Sequence, residues 1–96
     1  MHAAIRRFQI TAGAVDKLVR AARPLTTTLS EIPGFISFVM LETDDGGLTA
    51  ISIFEDRAGL EAADQVATAW AAQHAVTEYE SAMQLTRGQI VVQRGL

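Results

Sequence analysis

Trp70 and His74 are the pair of side chains that most directly suggests chemistry. They are four residues apart, so on a helix they share one face. His74 could then act as a general acid or base, with Trp70 as the wall of an aromatic pocket. In the alternative interpretation Trp70 anchors a core, and His74 interacts with the last carbonyl groups of the helix. Spacing alone leaves both interpretations open.

Arg7 and Gln9 are a second candidate pair, because they alternate with Ile5 along one face of a predicted strand. Polar groups among apolar ones are typical of a ligand site. If Arg6 faces the cavity instead, the assignment shifts by one residue and reverses. An arginine at a strand edge that forms an ion pair with another subunit is the structural alternative.

Two aromatic residues complete the set of candidates. The Tyr79 hydroxyl could donate a hydrogen bond to a quinol oxygen, or the ring could pack a short helical turn. Phe38 lies in an apolar strand and could contact a ligand. The predicted catalytic residues are His74, Tyr79 and Arg7, and the predicted ligand-binding residues are Trp70, Gln9 and Phe38.

Composition excludes several classes of protein. The chain has no cysteine and only two histidines, so no metal site is expected. The net charge is −3 and Lys17 is the sole lysine, which argues against nucleic-acid binding. The sequence lacks a dinucleotide-binding glycine motif, a phosphate-binding loop and a nucleophile elbow. No cofactor is therefore expected.

The length of 96 residues predicts one domain, residues 1–96. Apolar residues make up 49% of the chain and charged residues 20%, which is apolar-rich for so small a body. An apolar face covered by a partner subunit is expected. Arg6 and Arg7 interrupt any signal-peptide core, and no apolar run approaches the roughly 18 residues of a membrane span. We expect a cytoplasmic protein without a membrane partner.

The first half of the chain predicts a strand, a helix and a hairpin. A stripe spaced i, i+3, i+4, i+7 from Val15 predicts the helix, and Pro24 should kink or restart it. In the second strand Phe35, Val39 and Leu41 should face one way, with Ile36, Phe38 and Met40 facing the other. The predicted elements are strand Ala3–Thr11, a helix from Ala14 to about Ser30, strand Phe35–Thr43, the turn Asp44–Gly47 and strand Leu48–Phe54.

The second half predicts a helix and a last strand. Asp56 is a natural N-cap, and the helical stripe that follows runs through Leu60, Ala63, Ala67, Trp70, Ala71 and His74. Residues 75–86 fit a short helical turn or a loop. Strong β-formers at Ile90, Val91 and Val92 predict a final strand over Gln89–Arg94.

This order is that of an α+β, ferredoxin-like β-α-β-β-α-β fold, with a four-stranded antiparallel sheet and both helices on one face. The other face would be bare in a monomer. Two such faces packed together would give a homodimer with a closed apolar interior, a dimeric α/β barrel.

The turns and caps of the chain also carry a resemblance to a known family. The relevant segments are Ile32–Phe35, Asp45–Gly47, Ile51–Asp56, Gly59–Glu61, Trp70 and Gly88–Val92. With them the chain resembles the antibiotic biosynthesis monooxygenase-like (ABM) group of the dimeric α/β barrel superfamily. The resemblance implies homodimers with a ligand cavity between each sheet and its helices. These motifs belong to the scaffold and carry no chemistry.

The resemblance implies several activities among relatives, including quinol oxidation without a cofactor, haem degradation, isomerisation and ligand sensing. Haem-degrading members use an asparagine on the first strand, whereas this chain has no asparagine and Gln9 is the nearest substitute. The spacing of Trp70 and His74 also differs from theirs, which argues against haem. The first hypothesis is a cofactor-independent monooxygenase-like enzyme for a small aromatic, quinol-type molecule. The alternative is a non-catalytic binding or sensor module on the same barrel.

Overall fold

The computed structural model describes residues 1–9, 15–73 and 84–96. Its elements follow the order strand, helix, strand, strand, helix, strand. Their bounds are β1 His2–Gln9, α1 Val15–Ser30, β2 Phe35–Glu42, β3 Gly47–Phe54, α2 Arg57–Gln73 and β4 Gln84–Gln89. The predicted β-α-β-β-α-β order is confirmed.

The four strands form one antiparallel sheet in the order β2-β3-β1-β4. Helix α1 lies against β2, helix α2 lies against β1 and β3, and the helices touch each other. Both helices therefore cover the same face of the sheet, as expected for a ferredoxin-like fold. The uncovered side is called the bare face below.

The core fills the space between the sheet and the helices. Its buried members are Ala4, Leu25, Leu29, Phe54, Leu60 and Ala63. The rings of Phe35 and Phe54 meet edge to face, with centroids 5.7 Å apart. On the bare face Val39 and Leu41 are 49% and 43% exposed. Residues 1–9, 15–73 and 84–96 thus cover only one side of the sheet.

The predicted alternation of β2 is wrong at its first residue. Phe35 pairs with Phe54 and Ser37 pairs with Ile53, so β2 contains a bulge between them. A bulge inserts one residue and changes the face of what precedes it. Phe35 therefore packs against the core together with Phe38, whereas Val39 lies on the bare face.

Helix α1 is continuous through Pro24, so the predicted restart is wrong, whereas the predicted kink stays a prediction. Pro24 is exposed, so its ring does not interrupt the packed side of the helix. The buried residues on either side of it, Leu18, Ala22, Leu25 and Leu29, hold both halves against the sheet. Tertiary packing here outweighs the loss of one backbone hydrogen bond.

The predicted turns and the predicted cap are confirmed. Gly34 has φ +86°, and Phe35 N donates to Ile32 O at 3.1 Å. Gly46 has φ +87° in the β2–β3 hairpin. The Asp56 carboxylate accepts a hydrogen bond from Gly59 N at 2.8 Å and so caps the start of α2.

The final strand lies five residues earlier than its predicted start. β4 ends at Gln89, which pairs with His2, and Ile90 N donates to Met1 O at 2.9 Å. β1 begins at His2, so it has no further residue with which Val91 or Val92 could pair. The ambiguous stretch 75–86 contributes residues 84–86 to β4, and its other residues lie outside the described ranges.

Candidate functional site

The alternation of β1 sends its two arginines to opposite faces. Arg6 contacts Asp64 of α2, so it lies on the helix side of the sheet. Arg7 and Gln9 consequently share the bare face with Ile5. Arg7 and Gln9 thus lie on one face with Ile5, and Arg6 lies on the other. Which of the two faces lines a ligand cavity stays a prediction.

A cleft of about 350 Å³ opens at the end of the sheet where β1 ends and β3 begins. It is lined by Arg7, Phe8, Gln9, Thr43, Asp45, Gly47, Leu48, Thr49 and Gln84. Two predicted site residues, Arg7 and Gln9, therefore line one cavity. Phe8 and Leu48 are cross-strand partners in the helix-facing register, so the cleft borders both layers of the domain.

A row of polar side chains crosses the sheet in this cleft. Arg7 pairs with Thr49 on β3 and with Gln84 on β4, so these three residues share one rung and one face. Arg7 is exposed and takes part in none of the ion pairs formed among the described residues. Its guanidinium, with the neighbouring amide and hydroxyl groups, can donate hydrogen bonds to an anionic oxygen.

Asp45 gives the same cleft a negative rim. Hydrogen bonds from the Thr43 hydroxyl and from Gly47 N hold the pKa of the Asp45 carboxyl below its usual value of 3.8. The carboxylate is therefore ionised at neutral pH. A cation at Arg7 and an anion at Asp45 give the cleft charges of both signs.

A second polar group lies on the helix side. The Asp64 carboxylate pairs with Arg6 and, at 2.8 Å, with Arg87 Nη1. The Arg6 and Asp64 side chains are only 11% and 18% exposed. This carboxylate ties α2 to both β1 and β4. Sequence analysis did not single out Asp64, although its place beside Ala63 on the sheet-facing side of α2 was the available signal.

Trp70 lies on the helix side, far from the bare face. Its indole Nε1 donates to Ala21 O at 3.1 Å, and the half-buried ring packs against the core, as does Phe38. This geometry joins α2 to α1 and matches the structural alternative for Trp70. Its role as the wall of a ligand pocket stays a prediction.

The structure thus groups the predicted site residues in two places. Arg7 and Gln9 meet at the cleft, whereas Trp70 and Phe38 lie across the sheet from the bare face. His74 and Tyr79 lie outside the described residues.

Sequence analysis missed Thr49 and Gln84. Thr49 interrupts the apolar pattern of β3, a usable signal, but Gln84 belonged to the ambiguous stretch and offered none.

Comparison of the sequence with models of known families identifies the family. A sequence model for antibiotic biosynthesis monooxygenase matches residues 1–75. The chain belongs to this family. Comparison with curated proteins found no match.

Several solved structures share the fold of this family member. A protein from Nitrosomonas europaea, provisionally assigned as an antibiotic biosynthesis monooxygenase, has a TM-score of 0.79 at 13% identity, over 96% of this chain and all of that one. The haem-degrader MhuD from Mycobacterium tuberculosis has a TM-score of 0.69 at 18% sequence identity. The match covers 99% of this chain and 100% of that chain. SnoaB, a cofactor-independent oxygenase from Streptomyces nogalater, has a TM-score of 0.66 at 20% sequence identity. The match covers 99% of this chain and 95% of that chain.

Across residues 1–9, 15–73 and 84–96, no helix is long and apolar enough to cross a membrane. Within the same described ranges, no three His, Cys, Asp or Glu residues are grouped as metal ligands. The cytoplasmic location stays a prediction from the sequence.

Proposed function

We propose that this family member is a cofactor-independent monooxygenase-like enzyme that oxidises a small hydroxyaromatic, quinol-type substrate. The family assignment and the shared fold with SnoaB support oxygenase chemistry. The observation that carries the proposal is the row of Arg7, Thr49 and Gln84 beside an open cleft. Such a row suits the binding of an aryl oxygen that becomes negatively charged during reaction.

The proposed reaction needs only the substrate and O2. Loss of the phenolic proton gives an anion with carbanion character at a hydrogen-bearing ring carbon ortho or para to the oxygen. That carbon transfers an electron to O2, a C–O bond forms, and loss of water from the resulting peroxide leaves a quinone. One oxygen atom enters the product and the other leaves as water, so the hydroxyaromatic is oxidised by four electrons and O2 is reduced by four.

The proposed roles follow from charge and position. Arg7 binds the phenolate oxygen, and Gln9 orients the ring by a hydrogen bond. His74 and Tyr79, which follow α2 in the chain, are the proposed acid–base and hydrogen-bonding groups. Phe8 and Leu48, which line the cleft, are the proposed apolar contacts of this substrate, whereas Trp70 and Phe38 lie across the sheet from it.

Oxygen consumption with a panel of naphthols and hydroquinones tests this proposal. Arg7→Leu should lower kcat by roughly 100-fold, because a lost donor to a developing oxyanion has about that effect. Arg23→Leu, on the exposed side of α1, removes the same charge away from the cleft and should leave kcat unchanged. Equal rates for the two variants would contradict the proposed role of Arg7.

The same panel separates the enzyme from a binding or sensor module. A binding module would bind the aromatic ligand, as calorimetry measures, with no oxygen consumption. An enzyme would show both binding and oxygen consumption.

We also propose that the protein is a homodimer through the bare faces. Val39 and Leu41 are 49% and 43% exposed on this face, and an exposed apolar sheet face is usually covered by a partner. Sedimentation at micromolar concentration should therefore give a dimer, and a clean 10 kDa species would contradict it.

A further inference from the structure

We propose that Asp45 determines which substrates the cleft accepts. It selects hydroxyaromatic molecules that carry a second hydrogen-bond donor, a hydroxyl or an amino group, at the end opposite the oxygen that Arg7 binds. The inference rests on the proposed oxygenase function and narrows its substrate class. The proposed oxidation gives Asp45 no role of its own, although this carboxylate lines the same cleft.

The Asp45 carboxylate lies on the bare-face side of the hairpin. A Cβ built on Gly47 would lie 3.4 Å from Asp45 Oδ1 and 3.0 Å from Thr43 Oγ1. Gly47 pairs with Gln9, so that Cβ would point to the bare face, as the side chains of Gln9 and Arg7 do. The carboxylate and the polar row at Arg7 therefore lie on the same side of the sheet.

The two charges are separated along β3. Arg7 pairs with Thr49, and the Asp45 carboxylate lies over Gly47, two residues earlier on the same strand. Two residues of a strand span about 7 Å, which is comparable with the long axis of two fused aromatic rings. A ligand that contacts both charged groups is therefore a two-ring molecule or a larger one. The cleft volume of about 350 Å³ lies within the usual range of small-molecule sites.

Hydrogen bonds fix the Asp45 side chain before any ligand binds. Its Oδ1 accepts from the Thr43 hydroxyl and, at 3.2 Å, from Gly47 N. Both bonds end on the same oxygen, which leaves Oδ2 to accept from a ligand. Asp45 forms no ion pair with the described residues. A carboxylate held in this way loses little conformational freedom when a ligand donor binds to it.

The chemistry of the carboxylate sets the preference. The same hydrogen bonds lower the pKa of Asp45, so the group is ionised at neutral pH and can only accept. It therefore binds a hydroxyl or amino group, whereas a methoxy oxygen has no hydrogen to donate. A site that binds a substrate hydroxyl rejects the analogue that lacks it, because the polar group of the protein is then left without its partner.

Oxygen consumption with a matched pair of substrates tests the proposal. Naphthalene-2,6-diol and 6-methoxy-2-naphthol share one ring system and differ by a single donor. The wild-type kcat/KM should be at least roughly tenfold higher for the diol than for the methoxy compound.

Asp45→Asn should abolish this preference without disturbing the hairpin. The amide oxygen can still accept from Thr43 and Gly47, but an amide nitrogen then takes the place of Oδ2. That nitrogen donates to hydroxyl and methoxy oxygens alike, so the ratio of the two kcat/KM values should fall to about one. The matched control is Asp44→Asn, which neutralises the neighbouring carboxylate outside the cleft lining and should keep the wild-type ratio.

Calorimetry with the same two compounds separates this inference from the oxygenase proposal. If the diol binds more tightly and Asp45→Asn removes the difference, the role of Asp45 holds even when neither compound is oxidised, and only the oxygenase proposal fails. An equal ratio in wild type and Asp45→Asn would overturn the role of Asp45 and leave the oxygenase proposal standing. A wild-type protein that neither binds nor oxidises either compound would overturn both.

Discussion

Arg6 and Arg7 are adjacent in the chain and have opposite electrostatic surroundings. Arg6 is mostly buried against Asp64, whose carboxylate also binds Arg87, so its charge is compensated. Arg7 projects from the bare face into the cleft and forms no ion pair with the described residues. A guanidinium without a carboxylate partner is the one suited to an anionic ligand.

Asp45 should make the stability of the β2–β3 hairpin depend on pH in the acidic range. Its pKa is lowered in the folded state, chiefly by the Thr43 hydroxyl. The stabilisation is therefore fully present above the unfolded value near 3.8, and it is lost as the pH falls through the lower folded pKa. Thr43→Val should raise the pKa of Asp45, as carboxyl NMR titration can measure. The exposed Asp44→Asn variant is the control, and an unchanged Asp45 titration in Thr43→Val would contradict the assignment.

The candidate site could be predicted only in part, for a reason visible at Arg6 and Arg7. The residue types predict that both arginines lie on β1. Successive side chains of a strand point to opposite faces, so the face of each arginine can be assigned only from a contact with a distant residue. That contact is the pair of Arg6 with Asp64, 58 residues away. Gln84 was unpredictable for a similar reason, since pairing with β1, not local propensity, makes its segment a strand.

At the scale of elements, α2 docks closely on the sheet at its first turn. A Cβ built on Gly59 would lie 2.8 Å from Phe54 Cδ2 and 2.9 Å from Pro33 O. The same residue donates its N–H to the Asp56 cap. Gly59 therefore permits both the cap and the close approach of α2 to β3.

Gly59→Ala should destabilise the fold, although alanine is the better helix former. Overpacking against Phe54 and the Pro33 carbonyl should cost about 1–3 kcal/mol, more than the roughly 0.5–1 kcal/mol that helix propensity returns. Gly88→Ala is the matched control, because its added Cβ meets nothing within 4 Å. Urea unfolding measures both variants, and a Gly59→Ala protein at least as stable as wild type would contradict the close packing.

The elements were predictable where local signals and packing agree. Gly34, Gly46 and Asp56 each fix a turn or cap through their own backbone or side-chain chemistry, and these predictions are confirmed. The failures concern tertiary context. The bulge after Phe35 and the end of β4 at Gln89 are set by partner strands, which a single segment does not encode.

At the scale of the whole molecule, the described part of the chain covers one face of the sheet and leaves the other apolar. Ile5, Ile51 and Val39 are laterally paired across β1, β3 and β2 on the bare face. The polar row at Arg7 lies on the same face, towards the end of the sheet. A partner that packs on these apolar residues would therefore lie next to the cleft. The proposed dimer interface would then form part of the wall of the cleft.

Val39→Asp should separate the stability of the protomer from that of the proposed dimer. In the isolated chain Val39 is 49% exposed, so a carboxylate there remains hydrated and the fold should persist. In a bare-face dimer the same carboxylate would be buried without a partner, at about 3–5 kcal/mol, and the dissociation constant should rise 100-fold or more.

Melting temperature against protein concentration measures this difference. Dimer formation links stability to protein concentration. The melting temperature of the wild type should therefore be higher at about 100 μM than at about 1 μM. Val39→Asp should have a lower melting temperature that does not change with concentration. Arg20→Ala, on the exposed side of α1, should stay within about 0.5 kcal/mol of wild type and keep the concentration dependence. If Val39→Asp and Arg20→Ala melt alike at every concentration, the bare face has no partner, and the apolar surface of β2 needs another explanation.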